Sequence, residues 1–202
     1  MAAREKKAHI FDRDQRDWYV EEARASEALF RTEKFVGDIW DPACGGGNIV
    51  ESALSEGYFA IGTDVVDRSN GADWFDQNID FLAEKSDGFA PWTFSNIVTN
   101  PPFYRAKGTE HFIRRALSIA QGKVAIFTEI GFLAGHARST GLWEEHPPTR
   151  IYSISPRINC PPGEHIASGG KVGGGTADWV WLVWDLTSPR SVTTFHWMRA
   201  GK

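Results

Sequence analysis

The sequence predicts an α/β domain with a mostly parallel β-sheet and helices on both of its faces. Short apolar segments of strand length alternate with longer segments in which apolar residues recur at helical spacing. Glycine residues follow several of these segments and mark where they end. Strands that alternate with helices in this way are typical of a parallel sheet that is buried on both faces.

The individual elements follow this alternation in order. We predict helices over residues 21–35, 48–55, 109–120 and 132–143, and strands over residues 39–41, 59–63, 94–99, 124–127, 151–154 and 179–184. Gly57 and Gly122 are the expected ends of the second and third helices. The last two strands have no helix between them, so they can form a hairpin, and we expect the final strand to be antiparallel.

The length of 202 residues fits one domain of ordinary size. We expect residues 1–17 to form a polar arm and residues 18–202 to form a single domain. No segment approaches the about 18–20 apolar residues of a membrane span. The charged N-terminus leads into no apolar segment, so we expect no signal peptide. A cytoplasmic protein with free thiols is the simple interpretation, because two cysteines cannot build a disulfide framework.

The charge and the histidines restrict the possible ligands. The formal net charge of −4 argues mildly against strong nonspecific DNA binding, because neutralising phosphates supplies much of the affinity of DNA-binding domains. The six histidines show no metal-ligand spacing, so we expect no metal site.

A glycine-rich turn, Asp-Pro-Ala-Cys-Gly-Gly-Gly at residues 41–47, follows the first predicted strand. In open α/β sheets ligands bind beyond the carboxyl ends of the strands, and glycine lets the backbone approach them closely. A dinucleotide fingerprint, G-x-G-x-x-G, would place a third glycine where this chain has Val50. The turn therefore favours a nucleotide-like cofactor over a pyrophosphate.

Acidic residues after the glycine turn are candidates for contacts with that cofactor. Asp64 ends the second strand and is placed to accept hydrogen bonds from both hydroxyls of a ribose, although a turn or capping role is the alternative. Asp80, with Phe81 beside it, is a candidate for reading an adenine amino group. Asp73 competes for that role.

Asn-Pro-Pro-Phe at residues 100–103 directly follows the strand at residues 94–99. Asn100 Oδ1 and the carbonyl of Pro101 could accept both N–H bonds of a planar amino group, which Phe103 would hold by stacking. Asn and Pro are also ordinary turn formers, so a structural turn is the alternative. The glycine turn upstream favours the catalytic interpretation.

These two motifs resemble motifs I and IV of amino-group DNA methyltransferases. Residues 132–135, 147–152 and 177–181 are similar to the later part of small phage- and prophage-type N6-adenine methyltransferases, and the resemblance covers roughly residues 18–197. It implies a Rossmann-like class I methyltransferase fold, a mostly parallel seven-stranded sheet with an antiparallel final strand. It also implies methyl transfer from S-adenosylmethionine to the N6 amino group of adenine in DNA, either a duplex with the base flipped out or a single strand.

The resemblance also implies roles for individual residues. The catalytic residues would be Asn100, Pro101, Pro102 and Phe103. The cofactor-binding residues would be Tyr19, Asp41, Pro42, Ala43, Cys44, Gly45, Gly47, Asp64, Asp80, Phe81 and Asn100. One departure is that Trp18-Tyr19-Val20 is followed by Glu21-Glu22, where the family often has Thr-Pro, so the group that binds the methionine carboxylate is unassigned.

Loops after the parallel strands would share the active-site face and could hold DNA. The candidate residues are Arg105, Lys107, His136, Arg138, Arg157 and Lys171, and solvated loops are the alternative. The motif chemistry also suits adenine in RNA or a protein glutamine amide. A noncatalytic protein that binds S-adenosylmethionine is the alternative from another class.

Overall fold

The computed structural model describes residues 17–83, 94–103, 107–171, 173, 177–189 and 192–201. The predicted polar arm lies outside the described residues except for Asp17. An eight-stranded sheet is formed by β1 (Ile39–Asp41), β2 (Ala60–Asp64), β3 (Phe75–Asn78), β4 (Asn96–Thr99), β5 (Lys123–Glu129), β6 (Arg150–Ser155), β7 (Trp179–Asp185) and β8 (Thr194–Arg199).

The helices pack around this sheet. They are α1 (Ala23–Thr32), α2 (Asn48–Ser55), α3 (Lys107–Ile119), α4 (His136–Ser139), α5 (Leu142–Glu145) and α6 (Gly163–Ala167), with a 3-10 helix at Ile130–Ala134. α1 buries Ala25, Ala28 and Leu29, whose spacing of three and four residues forms one apolar face. Among the described residues, no helix combines the length and the apolar character that crossing a lipid bilayer requires.

The sheet order is β3-β2-β1-β4-β5-β7-β6-β8, which confirms the predicted fold class. The first five strands in this order are mutually parallel. β7 lies antiparallel between β5 and β6, as the predicted hairpin requires. The crossovers from β1 to β2 and from β4 to β5 run through α2 and α3, which cover opposite faces of the sheet.

Several details of the prediction were wrong. The sheet has eight strands rather than seven, and the antiparallel strand is the seventh in the chain, because β8 follows it and pairs in parallel with β6. α6 lies between β6 and β7, where no helix was expected. The predicted helix at residues 132–143 is three short helices, which Gly135 and Gly141 separate.

The core lies on both faces of the central strands. Along β7, Trp179, Trp181 and Val183 face α1 and α2, whereas Val180 and Leu182 alternate with them and face α3. Trp181 is fully buried, and its indole Nε1 donates a 3.1 Å hydrogen bond to the carbonyl of Ala25 in α1. This bond fixes α1 against the middle of the sheet.

A buried charge cluster lies at the amino ends of β5 and β6. Glu33, which follows α1, accepts hydrogen bonds from Lys123 Nζ at 2.6 Å, from Tyr152 Oη at 2.7 Å and from the guanidinium of Arg150. Asp185 lies 3.3 Å from Arg150 and 3.8 Å from Lys123. Two acids thus balance two bases at this end of the sheet.

Candidate active site

A cleft opens at the carboxyl ends of β1, β2 and β4. Its lining includes many of the predicted site residues: Tyr19, Asp41, Ala43, Cys44, Gly45, Asp64, Asp80, Phe81, Asn100 and Pro102. Of the other predicted residues, Pro42 and Pro101 are buried beside the cleft. Parallel strands direct their following loops to one edge of the sheet, which is why residues far apart in the sequence meet here.

The glycine turn has two residues in the left-handed region, where a side chain would be strained. Gly45 has a φ of +50°, and Gly47 has a φ of +94° and begins α2. A Cβ on Gly45 would lie 2.7 Å from the indole nitrogen of Trp18, and one on Gly47 would lie 2.2 Å from the ring of Trp74. The predicted glycines therefore allow aromatic rings to pack closely on the turn, and Gly47 lies outside the cleft lining.

Two buried aspartates hold this turn in place. Asp41 Oδ1 accepts a hydrogen bond from the amide of Ala43 at 3.1 Å, and Asp64 Oδ2 accepts one from the amide of Gly45 at 2.9 Å. Asp64 Oδ1 also accepts from the guanidinium of Arg68 at 3.2 Å. Burial, with further contributions from the nearby carboxylates of Glu21 and Asp64, raises the pKa of Asp41 well above its ordinary value. Asp64 Oδ1 accepts a second bond, from the amide of Val66 at 3.0 Å, so the remaining acceptor capacity of Asp64 lies on Oδ2, and ribose binding stays a prediction.

Cys44 packs in the turn as a small apolar residue. Its side chain is buried and would contact any Cβ added at Gly62. Burial and the neighbouring carboxylates of Asp41 and Asp64 raise the pKa of its thiol far above the ordinary range. The thiol is therefore protonated and unsuited to act as a nucleophile.

Asn100 lines the cleft directly after β4, and its side-chain amide is held by hydrogen bonds on one side only. Its Nδ2 donates hydrogen bonds to Glu21 Oε2 at 2.8 Å and to the carbonyl of Tyr19 at 3.1 Å. Within the described part of the chain, Asn100 Oδ1 is buried and accepts no hydrogen bond. A buried acceptor without a donor is costly, so this oxygen is suited to receive an N–H from a ligand.

Glu21 is a site residue that the sequence analysis missed, because it was assigned only to a helix. Its side chain is buried among Asn100, Asp41 and Cys160. Burial raises its pKa to about 7, although the hydrogen bond from Asn100 acts in the opposite direction. The departure from the family at residues 21–22 was the one signal in the sequence that pointed to this position.

An N-terminal strap, residues 17–22, lies along one side of the cleft. Its backbone pairs with residues 159–163, through Val20 N to Pro161 O at 2.9 Å and Gly163 N to Trp18 O at 2.8 Å. Trp18 packs against Gly45, and the guanidinium of Arg68 lies 4.3 Å from the centre of the Trp18 ring. The strap therefore brings Trp18, Tyr19 and Glu21 into the site together.

Phe103 belongs to an aromatic cluster beside Asn100. The centre of its ring lies 5.4 Å from that of Tyr19 and 5.9 Å from that of Trp179, which stacks on Phe127 at 4.9 Å. The cluster gives the site an apolar aromatic wall that could contact a planar base. The stacking of a base on Phe103 itself stays a prediction.

Asp80 and Phe81, which were predicted to contact the adenine together, differ in their exposure to solvent. Asp80 is exposed, and its Oδ1 accepts a 3.0 Å hydrogen bond from the amide of Leu82. Phe81 is buried, with ring centres 5.4 Å from Trp40 and 4.7 Å from Phe112. Phe81 is thus mainly a core residue that forms part of the cleft wall.

The predicted DNA-binding residues are less available than expected. Arg138 is folded onto Phe132, where its Nε donates to the carbonyl at 2.8 Å and its guanidinium lies 4.1 Å from the ring centre. Arg157 forms a 2.8 Å ion pair with Asp178. His136 and Lys171 are exposed. Arg105 and the side chain of Lys107, the first residue of α3, lie outside the described residues.

The described residues contain no group of three or more histidine, cysteine or acidic side chains arranged to hold a metal ion.

Comparisons with known proteins identify the fold. No protein-family model matches the sequence, and no curated protein matches it. The structure is similar to a modification subunit of a putative type I restriction enzyme from Vibrio vulnificus, with a TM-score of 0.59 and 14% identity over 88% of this chain and 46% of that chain. It is also similar to a putative RNA methyltransferase from Pyrococcus horikoshii, with a TM-score of 0.57 and 16% identity over 81% of this chain and 82% of that chain.

The class that these observations define is the Rossmann-like fold of the class I methyltransferases. The prediction of S-adenosylmethionine as the cofactor agrees with this fold. The chain spans less than half the length of the Vibrio subunit.

Proposed function

We propose that this chain transfers a methyl group from S-adenosylmethionine to the exocyclic N6 amino group of adenine in DNA. The observation that carries the proposal is Asn100 Oδ1, a buried acceptor in the cleft that has no donor among the described residues. It lies in the Asn-Pro-Pro-Phe motif, at the carboxyl end of β4 and beside the aromatic cluster of Tyr19, Phe103 and Trp179.

The charge of the cleft fits this cofactor. Five acidic residues line it, namely Asp17, Glu21, Asp41, Asp64 and Asp80, and Arg68 is paired with Asp64. This lining suits a ligand that carries a positive sulfonium and an ammonium group, and it is unsuited to a pyrophosphate. Asp64 would contact the ribose, Asp80 the adenine, and the turn around Gly45 the methionine part.

The chemistry follows from the residues of the chain. The bound cofactor supplies an electrophilic methyl group. Asn100 Oδ1 and the carbonyl of Pro101 accept the two N–H bonds of the target amine, which stabilises the positive charge that develops on its nitrogen. The aromatic wall at Phe103 holds the flipped base in place. The nitrogen attacks the methyl carbon directly, so the carbon–sulfur bond breaks as the nitrogen–carbon bond forms, and the nitrogen then loses its extra proton to water. No covalent intermediate with the protein is needed, and the buried, protonated thiol of Cys44 is unsuited to form one.

DNA is proposed as the substrate because the two motifs and their order resemble DNA methyltransferases. Adenine in RNA is the second candidate. It is supported by the structural similarity to the putative RNA methyltransferase from Pyrococcus horikoshii. The net charge of −4 and the intramolecular contacts of Arg138 and Arg157 argue against tight binding of a phosphate backbone, whether of DNA or of RNA. The same site would accept a protein glutamine amide, which also presents a planar amino group.

The test is the transfer of labelled methyl groups to duplex DNA, single-stranded DNA, RNA and a protein extract, followed by nucleoside analysis. We expect label in N6-methyladenine from DNA, and a decrease of about 10²–10³-fold for Asn100→Ala, the range for losing one preorganised hydrogen-bonding group. Glu27→Gln, which removes only a surface ion pair with Arg31, is the matched control.

Each other outcome contradicts part of the proposal. Label in RNA or protein alone would reject DNA as the substrate, and label on cytosine N4 would correct the base. An Asn100→Ala protein that matched the wild type would reject the catalytic role of the motif. Binding of the cofactor without transfer to any substrate would indicate a noncatalytic protein.

A further inference from the structure

We propose that Glu21 is a positioning residue for Asn100, whose amide it holds with Oδ1 directed at the acceptor amine. The inference rests on the proposed function, since it assigns Glu21 a role toward the amine bound in that site. Glu21 would not touch the reacting atoms. It would act through Asn100.

The hydrogen bonds around Asn100 favour one orientation of its amide. Besides a weak contact with Cys160 Sγ at 3.8 Å, Nδ2 donates its two hydrogens to two oxygen acceptors, the carboxylate of Glu21 at 2.8 Å and the carbonyl of Tyr19 at 3.1 Å. A flipped amide would place Oδ1 against both of these acceptors and leave Nδ2 facing the target amine. Ionised Glu21 has no hydrogen to donate, so it disfavours the flip strongly.

Glu21 is itself held firmly by its surroundings. Its own carbonyl accepts a 2.6 Å hydrogen bond from Asn48 Nδ2 at the start of α2, and the amides of Val20 and Glu22 on either side bond to the carbonyls of Pro161 and Asn159. The backbone of Glu21 is therefore fixed on both sides, and the hydrogen bond from Asn100 Nδ2 fixes its buried carboxyl group.

The orientation should depend on the charge of Glu21. Burial raises the pKa of Glu21 to about 7. The titratable groups that face it are Asp41 on β1 and Cys160 after β6, and burial raises the pKa of both. A protonated Glu21 both donates and accepts, so it satisfies either orientation of the Asn100 amide. Above about pH 7 the orientation is thus held by both acceptors, and as the pH falls below that value it is held by the carbonyl of Tyr19 alone and becomes weaker.

The first test observes Asn100 without any substrate. The side-chain amide signals of Asn100 in a ¹⁵N-labelled protein, assigned by their loss in Asn100→Asp, should titrate in the wild type with a midpoint near pH 7. They should not titrate in that range in Glu21→Gln, and Glu27→Gln should behave like the wild type. Asn100 signals that are the same in Glu21→Gln as in the wild type at every pH would overturn the proposal.

The second test measures methyl transfer. Glu21→Gln should lower kcat by about 10–100-fold, the range for losing one hydrogen bond to a charged group, with little change in the KM for S-adenosylmethionine. It should also abolish the rise of kcat with pH near 7 that we expect of the wild type. A variant with the wild-type kcat and pH profile would reject the positioning role. If no substrate is methylated, the proposed function fails, and the amide signals still decide the role of Glu21.

Discussion

Replacing Glu33 by alanine is expected to lower the free energy of unfolding by about 3 kcal/mol. Glu33 is the acceptor shared by Lys123, Arg150 and Tyr152 in the buried charge cluster. Its removal leaves two cations with one acid, Asp185, whose distances to them are 3.3 and 3.8 Å. The cluster would change from balanced charge to an excess of one positive charge in a largely buried place.

The magnitude follows from the burial of the partners. Breaking a buried ion pair by removing one partner costs about 3–5 kcal/mol. Glu33 is almost fully buried, but the side chains of Lys123 and Arg150 are 15% and 16% exposed, so water reaches part of the cluster. We therefore expect the lower end of the range, which corresponds to a decrease in Tm of about 6–12 °C for a chain of this length.

Urea unfolding followed by circular dichroism would measure this change. The matched control is Glu27→Ala, which removes an exposed ion pair with Arg31 and should change the free energy of unfolding by less than about 1 kcal/mol. Equal midpoints for Glu33→Ala and Glu27→Ala, with unchanged slopes, would refute the reasoning. Since the cluster lies at the end of the sheet opposite the cleft, binding of S-adenosylmethionine by the folded variant should be unchanged.

The remaining predictions concern pH, the glycine turn and the aromatic wall. Burial acts to raise the pKa of Glu33, but hydrogen bonds from its basic neighbours hold it below its ordinary value of 4.5. Its contribution to stability is therefore complete above about pH 4.5 and decreases as the pH falls below it, which urea titrations at several pH values would detect. Gly47→Ala should cost about 1–3 kcal/mol, because a methyl group at a φ of +94° would also meet Trp74, whereas Gly46→Ala has open space and should cost much less by the same titration. Phe103→Leu should slow single-turnover methyl transfer by about 5–150-fold, and Phe103→Tyr should retain most of the rate, because only the first loses a stacking ring.

The sequence was most informative about buried, regular elements. α2 was predicted at its observed bounds, because Gly47 and Gly57 flank a segment of helical periodicity. The strands β3 and β8 were missed, since both lie at sheet edges and expose most of their side chains. An edge strand buries little apolar surface, so its sequence lacks the pattern that reveals a central strand such as β7.

In the candidate site, the continuous motifs could be predicted from the sequence, whereas contacts between residues far apart in the chain could not. The motifs at residues 41–47 and 100–103 could be recognised because each is a continuous segment at the end of a strand. Glu21 could not be recognised in this way, because its partner Asn100 is 79 residues further along the chain. The ion pair of Arg157 with Asp178, 21 residues further along the chain, is likewise tertiary, and no local pattern predicts it.

The position of β7 sets the order in which the sheet can be completed. β6 is paired only with β7 and β8 among the described strands, and both follow it in the chain. During synthesis β6 therefore emerges without a neighbour, and it must wait until Trp179–Asp185 inserts beside β5. Such distant pairing slows folding and exposes strand edges in the meantime. Shortening the chain before Trp179 would thus remove three strands from the sheet rather than two.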